Sequence, residues 1–351
     1  MVTIHRNYTL IWLTAISILL LQSACVGSGG KNVKGSSGSK PDWVNGEAGY
    51  YPNALYLTAT GSASKPELAK DRALANLVKT FEVEVRENTT TRSDTNVSVK
   101  DGNESYTKNQ RLNQQINLRT DKVVQGARVA ESWLDKSVQT YHALAVLDRK
   151  QASANIRSEM SRLDQETETE LSRSRAQSDP LLSMAALNKA LDLQNQRLGM
   201  QNSLKVVDTS GRGQPSQWNL AELRGQLESQ LQTLRIATSV DSDPLGRLGQ
   251  ALQSAMGNAG FPAANGSSDF SLVANLDVQD LGVRDGWHWL RGKLSVKLVE
   301  ANGKIRGRKE WPLKVSAQQR NDAESRLMSQ VSKKLNQELK DSIIAFATGV
   351  N

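Results

Sequence analysis

The chain of 351 residues contains one cysteine and three histidines, and their scarcity excludes several kinds of catalytic and metal site. One cysteine forms no disulfide framework, and no cysteine or histidine cluster has the spacing of a metal site. No Gly-x-Ser-x-Gly motif marks a serine nucleophile, and Gly-Arg-Gly at 211–213 lacks the lysine of a phosphate-binding loop. His142 and His288 lie beside apolar residues of predicted strands, where a structural role explains them. We therefore predict no metal and no enzymatic activity.

The composition is that of a folded protein with a basic surface. Hydrophobic residues make up 38% of the chain and charged residues 23%, which argues against a disordered protein. The formal net charge is +8. This charge admits anionic lipid, glycan, nucleic acid or an acidic protein as partner, and the compartment must decide among them.

Residues 1–24 have the pattern of an export signal. Their apolar run at 8–21 is shorter than the roughly 20 residues of a membrane span. Small residues ending in Ala24 precede Cys25, and this pattern resembles the bacterial lipoprotein signal, from which it departs at Gln22, where leucine is preferred. The resemblance implies cleavage between Ala24 and Cys25 and a diacylglycerol and N-acyl lipid on Cys25. A secretory signal with an unrelated cysteine and an uncleaved anchor are the alternatives.

Residues 25–40 are rich in glycine and serine and are expected to form a lipidated, flexible tether. The residue after Cys25 is Val26 and not aspartate, which by the same resemblance implies the outer membrane. We therefore expect a lipid-anchored protein on the periplasmic face of that membrane. Export also makes nucleic acid an improbable partner.

Residues 41–150 predict a small α+β domain. A β-rich run at 55–60 precedes a helix that starts near residue 66. Apolar and charged residues then alternate over 81–86, which predicts a half-buried strand. Two further runs, at 128–134 and 138–147, predict a hairpin.

Several features of this domain resemble the LPP20 family of bacterial envelope lipoproteins, over about residues 41–150. They are the Pro-Asp-Trp sequence at 41–43, the strand at 56–61, the alanine-rich helix at 67–79 and the closing strand at 141–146. Some relatives in that family take part in outer-membrane flagellar assembly. The resemblance therefore implies an envelope protein, and its motifs are packing features, not catalytic ones.

Residues 151–205 predict an antiparallel hairpin of two polar helices, broken at Asp179-Pro180. Such an insertion either packs within the chain or docks on a partner. Residues 206–351 predict a second α+β domain, whose order of elements suggests a structural repeat of the first. The expected fold is thus α+β, with two small helix-on-antiparallel-sheet domains separated by the helical hairpin.

The hairpin at 287–316 is the most informative part of the second domain. Asn302-Gly303 predicts a two-residue turn with Ala301 opposite Lys304. This register places Leu290, Leu294 and their partners on one apolar face, because it pairs Leu290 with Val315 and Leu294 with Trp311.

The opposite face of this hairpin carries six cations and two tryptophans, with Glu310 as its only acid. We expect this basic face to bind an anionic partner, such as lipopolysaccharide, phospholipid headgroups, a glycan or an acidic protein; a solvated face without a ligand is the alternative. Its predicted residues are Arg291, Lys293, Lys297, Arg306, Arg308, Lys314, Trp287 and Trp289.

The function expected from these patterns is that of a non-enzymatic structural or adaptor lipoprotein in an envelope assembly, with a flagellar assembly as one candidate. A lipoprotein that activates a cell-wall enzyme is the alternative, and a periplasmic hydrolase is the least favoured. Periplasmic or outer-membrane proteins are the expected partners, and the sequence leaves self-association open.

Overall fold

The computed structural model describes residues 39–46, 49–93, 126–262, 264 and 268–347, and the side chains of 88–93 are also outside the description. The predicted signal peptide, its cleavage site and Cys25 therefore lie outside the described residues, as does the tether up to residue 38. Among the described helices, none combines the length and the apolar character that a membrane span requires.

The first sheet is antiparallel and has the strand order β1-β3-β2. Its strands are β1 (Tyr56–Ala63), β2 (Arg128–Asp135) and β3 (Thr140–Asp148), and helix α1 (Pro66–Ser93) packs on one face. Residues 143–147 of β3 are a continuous apolar run and are all buried, because the sheet is covered on both sides.

The prediction of a strand at 81–86 is wrong, since α1 continues through this segment to Ser93. Phe81 and Val85 are buried on the same side of the helix, four residues apart, while Val83 is 45% exposed. Over a run this short, two buried residues four positions apart fit the periodicity of a strand as well as that of a helix. The predicted four-stranded arrangement is therefore replaced by three described strands and a longer helix.

Trp43 covers the face of the first sheet opposite α1. It lies in the short 3-10 helix Asp42–Asn45 and packs with Trp133, Leu144 and Val146. Its indole Nε1 donates a hydrogen bond of 2.7 Å to a carboxylate oxygen of Glu131 in β2. The Pro-Asp-Trp motif is thus a packing feature that seals the sheet.

Helices α2 (Arg149–Ala176) and α3 (Pro180–Val207) lie where the helical hairpin was predicted. The carboxylate of Asp179 accepts hydrogen bonds from the backbone N–H groups of Leu181 and Leu182 and so caps α3. The hairpin contributes to two hydrophobic cores, because the N-terminal part of α3 packs with the second sheet and its C-terminal part with the first. The predicted domain boundaries stay a prediction.

The remaining elements confirm the α+β class. They are α4 (Leu220–Thr233), β4 (Ile236–Ser242), α5 (Leu248–Asn258), β5 (Phe270–Arg284), β6 (Trp287–Glu300), β7 (Ile305–Ala317) and α6 (Arg320–Phe346).

The second sheet has the order β4-β5-β6-β7 and is mixed, since β4 runs parallel to β5. The expectation of an antiparallel sheet here is therefore wrong at β4. The suggestion of a structural repeat is also wrong. The strand of the first sheet that corresponds to β4 is β1, and β1 pairs antiparallel with β3. In the second sheet the crossover with α5 joins the adjacent parallel strands β4 and β5, whereas in the first sheet β3 lies between the parallel strands β1 and β2.

Candidate functional site

The second sheet has one covered face and one uncovered face. The helices that pack on it share one core with the buried residues of β6, such as Leu290, Leu294 and Leu298. The residues between them, including Arg291 and Lys293, are exposed. We call this uncovered side the open face, and the predicted basic residues are located with respect to it.

The register predicted for β6 and β7 is confirmed, since Leu290 pairs with Val315 and Leu294 with Trp311. The turn itself differs from the prediction. The Glu300 N–H donates to the carbonyl oxygen of Lys304 at 2.8 Å, which leaves three residues in the loop instead of two.

A bulge compensates for the longer loop. Pairing shifts by one residue between Leu298–Gly307 and Val299–Ile305, so that β7 holds one extra residue. The extra residue in the loop and the extra residue in β7 cancel each other. Beyond the bulge, β6 and β7 therefore pair in the predicted register. The extra residue is Arg306.

Arg306 is directed away from the open face, and its prediction as a member of the basic face is wrong. Its guanidinium lies 2.6 Å from the carboxylate of Asp179 and 2.9 Å from that of Glu300, and it donates to the carbonyl oxygen of Ala347. Burial acts to lower the pKa of Arg306, but the hydrogen bonds to Glu300 and Asp179 outweigh it and raise this pKa. Arg306 therefore joins the α2–α3 loop, the β6–β7 turn and the end of α6.

Two predicted cations of the open face lie near acids of other strands in the same sheet. The Lys297 ammonium lies 2.9 Å from the carboxylate of Asp241 in β4, and the Lys293 ammonium lies 3.9 Å from that of Asp277 in β5. Glu310 is thus not the only acid on this face. The 287–316 hairpin could not indicate these acids, because both lie outside it, on β4 and β5.

Arg308 occupies the turn-proximal part of the open face, where its guanidinium is 4.0 Å from the carboxylate of Glu310. Both side chains are largely exposed. An ion pair of this length and exposure contributes little to stability, so Arg308 keeps its charge available to a partner.

The end of the open face nearest the β5–β6 turn has a different character. The Lys314 ammonium lies 4.8 Å from the centre of the Trp289 ring, a cation–π contact. Arg291 is directly opposite Lys314 in the β6–β7 ladder, and Trp287 pairs with Arg284 in the β5–β6 ladder. Sequence reasoning missed Arg284 because it lies outside the 287–316 hairpin. We call these five residues the tryptophan patch.

The first sheet, in contrast, belongs to the part of the chain that resembles known proteins in sequence. Residues 41–148 match the LPP20 lipoprotein family. This match confirms the resemblance predicted over about residues 41–150. The open face and the tryptophan patch lie outside this LPP20 region, so the family match does not describe them.

No curated protein matches the chain. Among solved structures, the secreted protein HP1454 from Helicobacter pylori is 13% identical, with 82% of this chain and 97% of that chain covered and a TM-score of 0.42. A minor lipoprotein from Acinetobacter baumannii is 15% identical, with 32% and 93% covered and a TM-score of 0.27. A putative lipoprotein from Caulobacter crescentus is 20% identical, with 36% and 96% covered and a TM-score of 0.25.

The two histidines outside the signal have partners in the fold. In the LPP20 region, the His142 ring lies 5.5 Å from the Trp133 ring, measured between centroids. His288 Nε2 lies 2.9 Å from Asp280 Oδ1, on the side of the sheet opposite the open face. The backbone N–H of Gly282 and the His288 ring lower the pKa of Asp280. In the described parts of the chain, no group of three acidic, histidine or cysteine residues could hold a metal.

A buried polar network joins α2, α3 and the loop that follows α3. Arg197 is 3% exposed, and its guanidinium lies 2.7 Å from the carboxylate of Asp164 and donates to the carbonyl oxygen of Pro215 at 2.8 Å. Gln194 donates to the Thr167 hydroxyl at 2.9 Å. The polar residues of these helices are therefore used in part to hold the hairpin and its following loop together.

Proposed function

We propose that this chain is a non-enzymatic lipoprotein, held by a lipid on Cys25 at the periplasmic face of the outer membrane, and that it acts as a structural or adaptor component of an envelope assembly. The LPP20 match over residues 41–148 supports a lipoprotein, and the resemblance of residues 1–25 to a lipoprotein signal supports the anchor. A flagellar assembly is the candidate that the family resemblance suggests.

The uncovered face of the second sheet carries the adaptor role. Exposed cations such as Arg291 and Arg308 project from an uncovered sheet face, which suits contact with a broad anionic partner surface. Enzymes usually enclose their substrates in a concave pocket that holds titratable groups. The charged groups of the open face are exposed or paired across the strands.

Charge reversal tests this role. We expect Arg291→Glu with Arg308→Glu to abolish cross-linking of the chain to its envelope partner in intact cells, because both substitutions place like charge against an anionic surface. Arg306 is left unchanged, since its ion pairs stabilise the fold. Lys333→Glu, at an exposed position of α6, is the matched control for a change of charge.

Unchanged cross-linking in the double variant, with an intact circular dichroism spectrum, would exclude the open face as the contact surface. Recovery of a cell-wall hydrolase or synthase as the cross-linked partner would favour a regulator of that enzyme over a structural component. Turnover of a cell-wall substrate by the purified chain alone would contradict the non-enzymatic role.

A further inference from the structure

The tryptophan patch lies where the β5–β6 hairpin extends beyond its neighbours. The last pair that β7 makes with β6 is His288–Ala317, and β4 pairs with β5 only as far as Asn275. The hairpin then continues to a turn at Asp285-Gly286, where both residues have positive φ. The hairpin therefore extends well past the end of β4 and, on the other side, past β7 by the pair of Arg284 with Trp287.

Apolar groups are exposed at this projecting end. Trp287 is 40% exposed on the open face, and Val283 is 65% exposed on the other side of the hairpin. Large exposed apolar side chains together at a projecting turn indicate contact with a partner or a membrane.

The charges around Trp287 are mostly positive. Arg284 and Arg291 have no ion-pair partner among the residues that the structure describes, and Lys314 faces the Trp289 ring. The nearby acid Asp280 lies on the other face and is engaged by His288 and Arg320. An anionic surface would therefore meet uncompensated positive charge at the patch.

We propose that the tryptophan patch is a membrane-contact site that binds the headgroup region of an anionic lipid leaflet. The cations contact lipid phosphates, and the Trp287 ring lies at the boundary between headgroups and acyl chains. This proposal rests on the proposed function, since a lipid anchor is what keeps the chain beside a membrane.

Three properties favour a lipid surface over a protein or a small ligand. The patch lies on an uncovered sheet face at the end of a hairpin, whereas small ligands bind in concave sites. Tryptophan is enriched at membrane interfaces because its ring is apolar and its N–H is polar. Each cation near an anionic leaflet strengthens binding by about fivefold, converted from about 1 kcal/mol per residue.

Asp285 limits how deeply the hairpin enters. Its side chain is exposed at the turn itself, and no cation pairs with it in the described part of the chain. A carboxylate at this position opposes insertion into the acyl region. The contact is therefore shallow and is made by the tryptophan patch at the end of the sheet, not by the whole open face.

The predicted anchor compensates for a weak contact. A lipid on Cys25 would hold the chain beside the leaflet through the short segment 25–40, which is rich in glycine and serine. Tethering on this scale gives an effective concentration on the order of millimolar. Even with a low intrinsic affinity for lipid, the tryptophan patch would then be bound to the membrane.

Fluorescence quenching by brominated lipids tests the proposal on the processed chain, reconstituted in vesicles of phosphatidylethanolamine and phosphatidylglycerol. We expect Trp287→Phe to remove most of the quenchable tryptophan emission. Trp218→Phe, at a half-buried position just before α4, is the matched control and is expected to leave the quenched emission unchanged. In vesicles of phosphatidylcholine alone, the quenching at Trp287 is expected to fall.

A second variant tests the charge contribution without removing a ring. The double variant Arg291→Gln with Lys314→Gln is expected to lower the ratio of membrane-bound to free patch by about 25-fold, because each cation contributes about fivefold. Equal quenching in the wild type and Trp287→Phe chains would overturn the proposal. Photo-cross-linking from position 287 to a protein, without quenching by lipid, would also overturn it.

Failure of the anchor gives a different result. A chain that does not float with the vesicles lacks the lipid on Cys25, which contradicts the proposed function. For such a chain, added anionic vesicles in excess are still expected to quench Trp287, and absence of that quenching would reject the patch independently.

Discussion

Gly61 lies at the closest approach between β1 and α1. A Cβ atom at this position would lie 2.2 Å from the backbone nitrogen of Ala73 and 2.6 Å from the carbonyl oxygen of Ala69. Both contacts are with helix backbone, which cannot move aside as a side chain can. The small residues at 61, 69 and 73 therefore set the spacing between helix and sheet in the LPP20 region.

Substitution of Gly61 by alanine is expected to lower the free energy of unfolding by about 2–3 kcal/mol, because the added methyl group separates β1 from α1. Urea denaturation monitored by circular dichroism measures this change. Gly225→Ala is the matched control: no atom lies within 4 Å of its added Cβ, and its place in helix α4 predicts a gain of about 0.5–1 kcal/mol. Equal effects of the two substitutions would contradict the close packing.

At the scale of elements, Asp179 connects the helical hairpin to the second sheet. Its carboxylate caps α3 and pairs with Arg306. Burial acts to raise the pKa of Asp179, but the hydrogen bond from Arg306 and those from the Leu182 and Leu181 N–H groups lower it below its ordinary value of 3.8. The folded state therefore favours the charged carboxylate.

This lowered pKa predicts a dependence of stability on pH. The contribution of Asp179 is fully present above the ordinary pKa and is lost as the pH falls through the pKa of the folded state. We expect Asp179→Asn to be less stable than the wild type at neutral pH and the difference to shrink below pH 3.8. Denaturant titrations across this range measure the difference, and a gap that stays constant in acid would refute the ion pair.

The β6–β7 hairpin illustrates which features a sequence can predict. The register was predictable, because burial of Leu294 opposite Trp311 requires it. The position of Arg306 was not, since a longer turn and a bulge cancel each other without changing the hydrophobic pattern. The acids Asp241 and Asp277 were missed for another reason: both lie outside the 287–316 hairpin, on strands β4 and β5, whose register with β6 was not predicted.

On the scale of the whole molecule, α3 connects two hydrophobic cores. Leu187 and Leu191 pack with the second sheet, while Leu193, Met200 and Leu204 pack with the first. The hairpin was predicted correctly as two helices from their spacing and from Asp179-Pro180. Its contacts with both sheets could not be predicted, because periodicity indicates a buried face and not the partner that buries it.

Because α3 packs in both cores, we predict that the two sheets lose protection against hydrogen exchange together. Leu204→Ala is expected to lower the free energy of unfolding by about 2–5 kcal/mol and to accelerate hydrogen exchange in β6 as well as in β3. Leu198→Ala, at an exposed position of the same helix, is the control and is expected to have little effect. Accelerated exchange in β3 alone would indicate that the two cores unfold independently.

The account as a whole depends on where the chain is held in the cell. The proposed adaptor role and the membrane contact of the tryptophan patch both presuppose an exported, lipid-bearing protein. Intact-mass and peptide mass spectrometry of the chain purified from its own membranes tests this most directly. We predict a mature N-terminus at Cys25 that carries acyl groups, with residues 1–24 removed. Retention of residues 1–24 together with an unmodified Cys25 thiol would contradict this prediction.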